Sequence, residues 1–357
     1  MASLINHSNY TFTADEIRAY NEILLKAVTE IPQLTDFHSF EQGIKNDKQI
    51  GLADGSFGLI GKAVQTCGTL TPDTKLLATQ QKKWEPKRLQ VLLRECWADL
   101  DATMGRLSRQ TGNNVADLTS TDYMTFILSI LEKDLGRMVF RKAWFDDTAA
   151  ALVTDSPAGV LTAGTDKTYF NLINGFFQQL GVIIAADATR KTTIAANAQA
   201  TFALQDSALT NQLAYEALLA VIDGAKPALR AASDQVILCT GSIGRKAMRY
   251  LQDKGLAFTL DTALNGLQMI NVDGRTIYVI EWWDELIRAY QSNGTKYNSP
   301  HRIVYTTKSN LVVGMEANGL FESFDVYHDK VTKYTYIEAV DAMDAKILDD
   351  TMVQYGV

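Results

Sequence analysis

The sequence predicts an α+β fold, on three observations. Apolar residues recur at three- and four-residue steps in several separate stretches, strand-like runs crowd the chain beyond Pro300, and the two kinds of segment lack the regular β-α-β alternation of a parallel sheet with helical crossovers.

The first helical stripe, Ile17, Tyr20, Ile23, Leu24 and Ala27, places a helix over about 14–30, and Pro32 ends it. From there to Pro86 the chain carries Gly51, Gly55, Gly58, Gly61 and Gly68 among short apolar pairs, a composition that weakens both helix and strand. Strand-like pieces resume from Lys75, with a bend at Trp84 and Pro86 and a β-prone run at Leu89–Leu93. The stretch reads as a long two-stranded arm, because a structureless loop of this length is uncommon inside a compact domain. Trp84 is the arm's largest apolar side chain and is expected at an inter-subunit contact.

The strongest element runs from about Thr121 to Asp146, where Met124, Ile127, Leu128, Leu131, Leu135, Met138 and Val139 form one stripe. At 1.5 Å per residue such a helix is roughly 40 Å long. Ser120 or Thr121 caps it, and Asp122 suits the positive end of its dipole. A second helix is predicted over Asp166–Leu180 from Tyr169, Ile173, Phe176 and Leu180, flanked by Phe170 and Phe177, and its aromatic stripe reads as core. A third, Asn211–Ile222, stops at Gly224 with Pro227 beyond. The run Gln235–Thr240 is a strand, followed by Ser242 as cap and a helix Ile243–Lys254 closed by Gly255. Asp273-Gly274 between two apolar runs marks a hairpin over Leu267–Trp282. Trp282 and Trp283 then point to opposite faces of its second strand. Either Trp283 turns toward a neighbouring subunit, or both residues belong to one large core. Arg302–Thr306, Asn310–Met315, Phe324–His328 and Lys333–Ala339 complete the strands.

Composition bounds the function. The chain has 357 residues, 46% apolar and 21% charged, enough for more than one lobe and too apolar for disorder. Its 34 basic and 41 acidic residues give a net charge of −7, which opposes tight binding to a phosphate backbone. Cys67, Cys96 and Cys239 form no paired motif, so neither a disulfide framework nor a zinc site is expected, and a reducing cytoplasm suits them. A signal peptide and an apolar run of membrane-spanning length are not expected either.

Candidate chemistry is sparse. Gly241-Ser242-Ile243-Gly244, between a strand and a helix, would present backbone N–H groups to a phosphate, but it lacks a third glycine and a following Lys-Ser/Thr pair and reads as a simple helix entry. His7, His38, His301 and His328 never share a helix turn. Asp341, Asp344, Asp349 and Asp350 depart from calcium-loop spacing and read as a solvated strand edge. No catalytic, cofactor-binding or metal-binding set is expected, and no cofactor.

Trp84-Glu85-Pro86-Lys87, Glu95-Cys96-Trp97-Ala98-Asp99-Leu100, Thr121-Asp122-Tyr123-Met124, Ala143-Trp144-Phe145-Asp146-Asp147, Phe324-Asp325-Val326-Tyr327 and the ending Met352–Val357 resemble segments of major capsid proteins of tailed phages, those of Bacteroides-type phages and prophages among them. The order of elements resembles the same family, nearly end to end. The resemblance implies an HK97-like fold: an N-terminal arm at 1–48, an extended loop at 49–94, a peripheral domain with a spine helix at 95–180 and 300–357, and an axial domain at 181–299. It implies a non-enzymatic structural subunit of an icosahedral capsid, localised to the virion and assembled in the host bacterial cytoplasm. Implied partners are further copies in pentamers and hexamers, portal and scaffolding proteins, and packaged double-stranded DNA through weak non-specific contact, with no membrane. No long charged leader opens the chain, so a separate scaffolding protein or none is expected. Lys62 or Lys75 would be placed to donate an isopeptide crosslink, yet no catalytic glutamate matches and none is expected. The alternatives are an encapsulin-like shell protein and a small-molecule enzyme using the Gly241–Gly244 turn.

Overall fold

The computed structural model describes residues 37–45, 49–55, 77–96, 136–156, 158–255, 261–262, 268–316, 323–329 and 334–357. The expected helix over 14–30, Lys62, Lys75 and the first part of the expected long helix, including Leu131, lie outside the described residues.

The fold is α+β. Strands β1 (Ser39–Gln42), β2 (Gln49–Gly55), β3 (Leu77–Lys83) and β4 (Lys87–Cys96) come first. β2 and β3 pair antiparallel from Gln49 opposite Lys83 to Gly55 opposite Leu77, and no other described strand joins them. β4 belongs elsewhere: it runs antiparallel to a long strand near the C-terminus, from Lys87 opposite Met343 to Cys96 opposite Tyr334. Of the described residues from Gln49 to Leu93, 49–55 and 77–83 therefore form a two-stranded ribbon, and 87–93 belong to a larger sheet.

The corner between β3 and β4 is pinned by burial. Trp84 is wholly buried against Ile44 and Val312. It fits because residue 314 is glycine, where a Cβ would come within 2.8 Å of both Trp84 Cζ3 and Ile44 Cδ1. The next residue, Glu85, donates its backbone N–H to Asp344 Oδ2 at 2.8 Å, and Pro86 has no N–H to satisfy.

Helix α1 occupies 136–145 and buries Val139, Phe140, Ala143 and Trp144. Helix α2 spans Phe176–Ala186. The helix expected over Asp166–Leu180 thus starts ten residues late. Asp166 instead caps a single 3-10 turn by accepting from Thr168 N–H at 2.9 Å, and Gly175 N–H is taken by Asp146 O at 2.7 Å. Phe170 and Ile173 still enter the core, from a loop. The stripe was real as a burial pattern, but local side-chain hydrogen bonding outcompeted the helix.

Next come β5 (Lys191–Thr192), α3 (Phe202–Ala208), α4 (Asn211–Gly224), α5 (Pro227–Ala231), β6 (Gln235–Thr240), α6 (Gly241–Asp253), β7 (Asp261–Thr262), β8 (Gln268–Val272), β9 (Arg275–Ile280) and α7 (Glu281–Tyr290). Asp273 and Gly274 both take positive φ, 53° and 71°, the geometry of the two-residue hairpin turn that the dipeptide signals. The hairpin ends at Ile280, so Trp282 and Trp283 lie on a helix and not on its second strand. Trp283 and Ile287 are four apart and both buried, a helical spacing that the adjacent tryptophans masked.

The last strands are β10 (Ile303–Thr307), β11 (Leu311–Met315), β12 (Ser323–Asp329), β13 (Tyr334–Ile347) and β14 (Gln354–Gly356). They divide between two sheets, one of order β1-β11-β13-β12 with β4 on β13, and one of order β5-β14-β10-β6-β9-β8-β7. The second sheet is buried on both faces. Along β6, Val236 and Leu238 enter a core with Trp144, Phe176 and Trp283, while Ile237 and Cys239 enter another with Leu218, Ile243 and Ile277. That two-sided burial is why β6 reads as an unbroken apolar run.

The acidic residues of β13 are no solvated edge. β13 has partners on both sides, Asp344 is 2% exposed, and its carboxyl sits above the usual carboxylate range because burial outweighs Lys346 at 3.3 Å. Trp84→Ala should cost about 3–5 kcal/mol of unfolding free energy, read by urea titration. A loss under about 1 kcal/mol, at the level of surface substitutions, would show that the β3–β4 corner does not depend on the indole.

Candidate functional site

Chemistry-bearing side chains from distant elements gather at the junction of α6, α7 and the segment leading into β10. Gly241 opens α6 directly after β6. Ser242, expected as the cap, lies inside the first turn, and the preceding Thr240 makes no side-chain capping bond. The acceptor comes from another helix: Asp284 of α7 accepts Ser242 N–H through Oδ2 at 3.0 Å. Glu281 flanks it and pairs with Arg245. A Cβ at residue 241 would fall 2.2 Å from Glu281 Oε2 and 2.6 Å from Asp284 Oδ2, so any side chain there would push both carboxylates from their present positions. Asp284 is 7% exposed, and burial pushes its carboxyl up to about 6 although the Ser242 N–H and Arg245 favour the charged form.

This geometry decides the phosphate question. The positive end of α6 already holds a carboxylate of the same chain, with a second beside it. An incoming phosphate would have to displace one and face the other.

A serine–histidine pair sits on the same turn. Ser242 Oγ lies 2.8 Å from His301 Nδ1 and 3.2 Å from Thr240 Oγ1, and His301 Nε2 lies 3.2 Å from Gln205 O. A carbonyl only accepts, so Nε2 carries the proton and Nδ1 accepts from the serine hydroxyl. Burial depresses His301 to about 4. Nucleophilic catalysis needs a base that can hold a proton and an oxyanion site rich in donors. Here the imidazole resists charge and is oriented by a neutral carbonyl, and the nearest helix N–H is spent on Asp284. The pair works as a clasp: it ties α6 to β10 and, through Gln205, to α3. Spacing alone did not reveal it, because Ser242 and His301 are 59 residues apart.

Other candidates disperse. His38 is buried and stacked on Phe176 at 5.4 Å. The Cys239 thiol is fully buried and pushed far above its ordinary range, chiefly by burial, which keeps it out of nucleophilic chemistry. Among the described residues no group of His, Cys, Asp and Glu is arranged to hold a metal, and no helix is long and apolar enough to cross a membrane. Asp349 caps a 3-10 turn by accepting from Thr351 N–H, and Asp350 pairs with Lys82 at 2.5 Å. Trp84 and Trp283 are both wholly buried within the chain, Trp283 between Trp144 at 4.6 Å and Phe177 at 4.9 Å. Neither indole reaches the surface.

No protein-family model matches the chain, and no curated protein matches it. Among solved structures it is similar to a chain of the satellite phage P4 procapsid including size determination (Sid) protein, at 10% identity over 97% of this chain and 98% of that one, with a TM-score of 0.47. It is also similar to the capsid of Myoviridae phage XM1, at 13% identity over 100% of both chains with a TM-score of 0.46. The virus-like particle from Pyrococcus furiosus is a third, at 9% identity over 95% and 98% with a TM-score of 0.44.

The buried carboxyls make a pH prediction. Asp284 and Asp146 are both raised from 3.8 to about 6, mainly by burial. Each therefore contributes stability that is full below the ordinary aspartate pKa and lost as pH rises through about 6. His301, depressed by burial, acts in the opposite sense over much of the same window, so the difference between variant and wild type is the readout. Asp284→Asn keeps an acceptor for Ser242 N–H and removes the titration. Its stability relative to wild type should rise from pH 4.5 to pH 7 by on the order of 2 kcal/mol, measured by urea unfolding. A difference that stays flat with pH would mean that Asp284 titrates normally.

Proposed function

We propose that this chain is a shell-forming capsid subunit of a tailed phage, with an HK97-like arrangement and no catalytic activity. The observation that carries the reading is the β2–β3 ribbon. Two strands paired only with each other are at best marginally stable in water. This ribbon is nonetheless anchored at one end, where Lys82 Nζ donates to Ile347 O and to Asp350 Oδ1, both at 2.5 Å, and Trp84 fills a pocket beside it. A limb fixed at its base and paired with no other described strand fits a segment whose outer part rests on another copy, where burial between chains offsets the entropy of ordering it.

The segment resemblances to Bacteroides-type phage capsid proteins support the same reading, as does a net charge of −7, which suits a wall that does not grip DNA. In this reading copies associate as pentamers and hexamers, portal and scaffolding proteins join them, and assembly in the host cytoplasm encloses double-stranded DNA. Residues 49–94 act as the extended loop, 95–180 with 300–357 as the peripheral domain, 181–299 as the axial domain and 1–48 as the N-terminal arm. Trp84 and Trp283 then serve assembly from inside, by holding in place the surfaces that neighbours touch.

Replacing 51–79 with a short Gly-Ser linker keeps Lys82, Trp84 and both large sheets. The expected product is soluble, has near-native circular dichroism and forms no shells by negative-stain microscopy, under conditions where the parent chain does. Regular shells from the variant would remove the ribbon from the assembly mechanism. A variant that cannot fold would place the ribbon in the core.

A further inference from the structure

The structure has a second polar centre that the shell reading does not use. Between Val153 with residues 158–160 on one side and the loop 291–299 on the other lies a half-open cleft of about 310 Å³, whose polar wall is Asn197, Gln291, Asn293, Lys296, Tyr297, Asn298 and Ser299. No aspartate or glutamate among the described residues lines it.

Three of its side chains hold unspent donors. Gln291 spends its oxygen on Arg302 at 2.5 Å, and an arginine can only donate, so the amide is oriented with its NH2 unspent. Asn293 Oδ1 accepts from Thr295 N–H, Thr295 Oγ1 and Lys296 N–H at 2.8–3.0 Å, which likewise leaves its NH2 free. The half-buried Lys296 ammonium has no partner among the described residues. Among the described residues the wall thus offers two unspent amide NH2 groups and one full positive charge, beside the Tyr297 and Ser299 hydroxyls and the Asn298 amide, which can donate as well as accept.

The cleft is also held in shape before anything enters it. Arg302, 3% exposed and stacked 4.3 Å over Phe177, donates to Ser299 O at 2.8 Å and Asn298 O at 2.9 Å. Ser299 has a φ of 44°, a left-handed conformation that costs a non-glycine residue energy and that this buried cation helps to hold. From the other side Gln205, 1% exposed, clamps Tyr297 by accepting its N–H and donating to its O, both at 2.9 Å.

We infer that this cleft is a carboxylate-binding site, with Lys296 supplying the charge and the amide groups of Gln291 and Asn293 supplying neutral donors. The carboxylate comes from a free small polycarboxylate or from an acidic side chain of a second copy of this chain, which carries 41 acidic residues. Occupancy of the cleft is independent of the ribbon, so failure here leaves the shell reading standing on its own microscopy test.

The experiment is isothermal titration of the purified chain with citrate at fixed ionic strength, beside sedimentation velocity without citrate, for the parent, Lys296→Ala and Lys296→Arg. Saturable one-to-one citrate binding that weakens about tenfold or more in Lys296→Ala and persists in Lys296→Arg supports a free-carboxylate site. Absent citrate binding with self-association weakened in Lys296→Ala and kept in Lys296→Arg supports an acidic side chain of a second copy. Unchanged behaviour of Lys296→Ala in both measurements overturns the site, as does citrate binding that is equally tight without the lysine.

Discussion

The interaction on which most of this structure depends is the burial of one positive charge without a carboxylate partner. Arg302 stands at the start of β10, almost inaccessible to solvent, and an unpaired buried ion is expensive. Its cost is offset by geometry. The guanidinium lies over Phe177 and near Phe145, and it donates to Gln291 Oε1, Asn298 O and Ser299 O. Those contacts join the end of α1, the start of α2, the end of α7 and the loop leading into β10. Burial lowers its pKa, and Tyr355 acts against that shift. The aromatic core around Trp144, Phe177 and Trp283 and the polar cleft at 291–299 are two sides of this one residue.

A similar economy governs the junction of α6 and α7. Asp284 closes the start of α6, Ser242 uses its N–H for that carboxylate and its hydroxyl for His301, and His301 reaches back to α3 through Gln205. Each group answers another's unmet hydrogen bond, and the two ionisable members are pushed toward their neutral forms by burial. Such a network is rigid and specific, but it has little capacity left for proton transfer.

Much of the fold was legible in the chain. Asp273-Gly274 marked the hairpin because both positions tolerate positive φ, and the order of Gly224 and Pro227 after an apolar stripe marked the end of α4. The run Val236–Cys239 was legible as a strand, since both faces of its sheet are buried. Where local rules failed, a competing interaction had won. Asp166 capped a short turn and delayed α2, and two adjacent tryptophans looked like strand residues although Trp283 and Ile287 carried the helical spacing. The candidate site was almost illegible. Gly241–Gly244 stood out as a motif, but its partners Asp284 and His301 lie on other elements, and no spacing rule connects them.

What the sequence by itself determined was therefore the α+β class, most strand positions, the turns and the absence of any compact catalytic motif, because those follow from periodicity and from local backbone preference. Tertiary structure alone decided which polar groups met. It put β4 beside β13 rather than in the ribbon, sealed Trp84 and Trp283 inside, turned Asp341 and Asp344 inward and gave Arg302 its aromatic seat. The physical reason is that burial and hydrogen-bond satisfaction depend on distances across the chain, while helix, strand and turn signals depend on neighbours a few residues away.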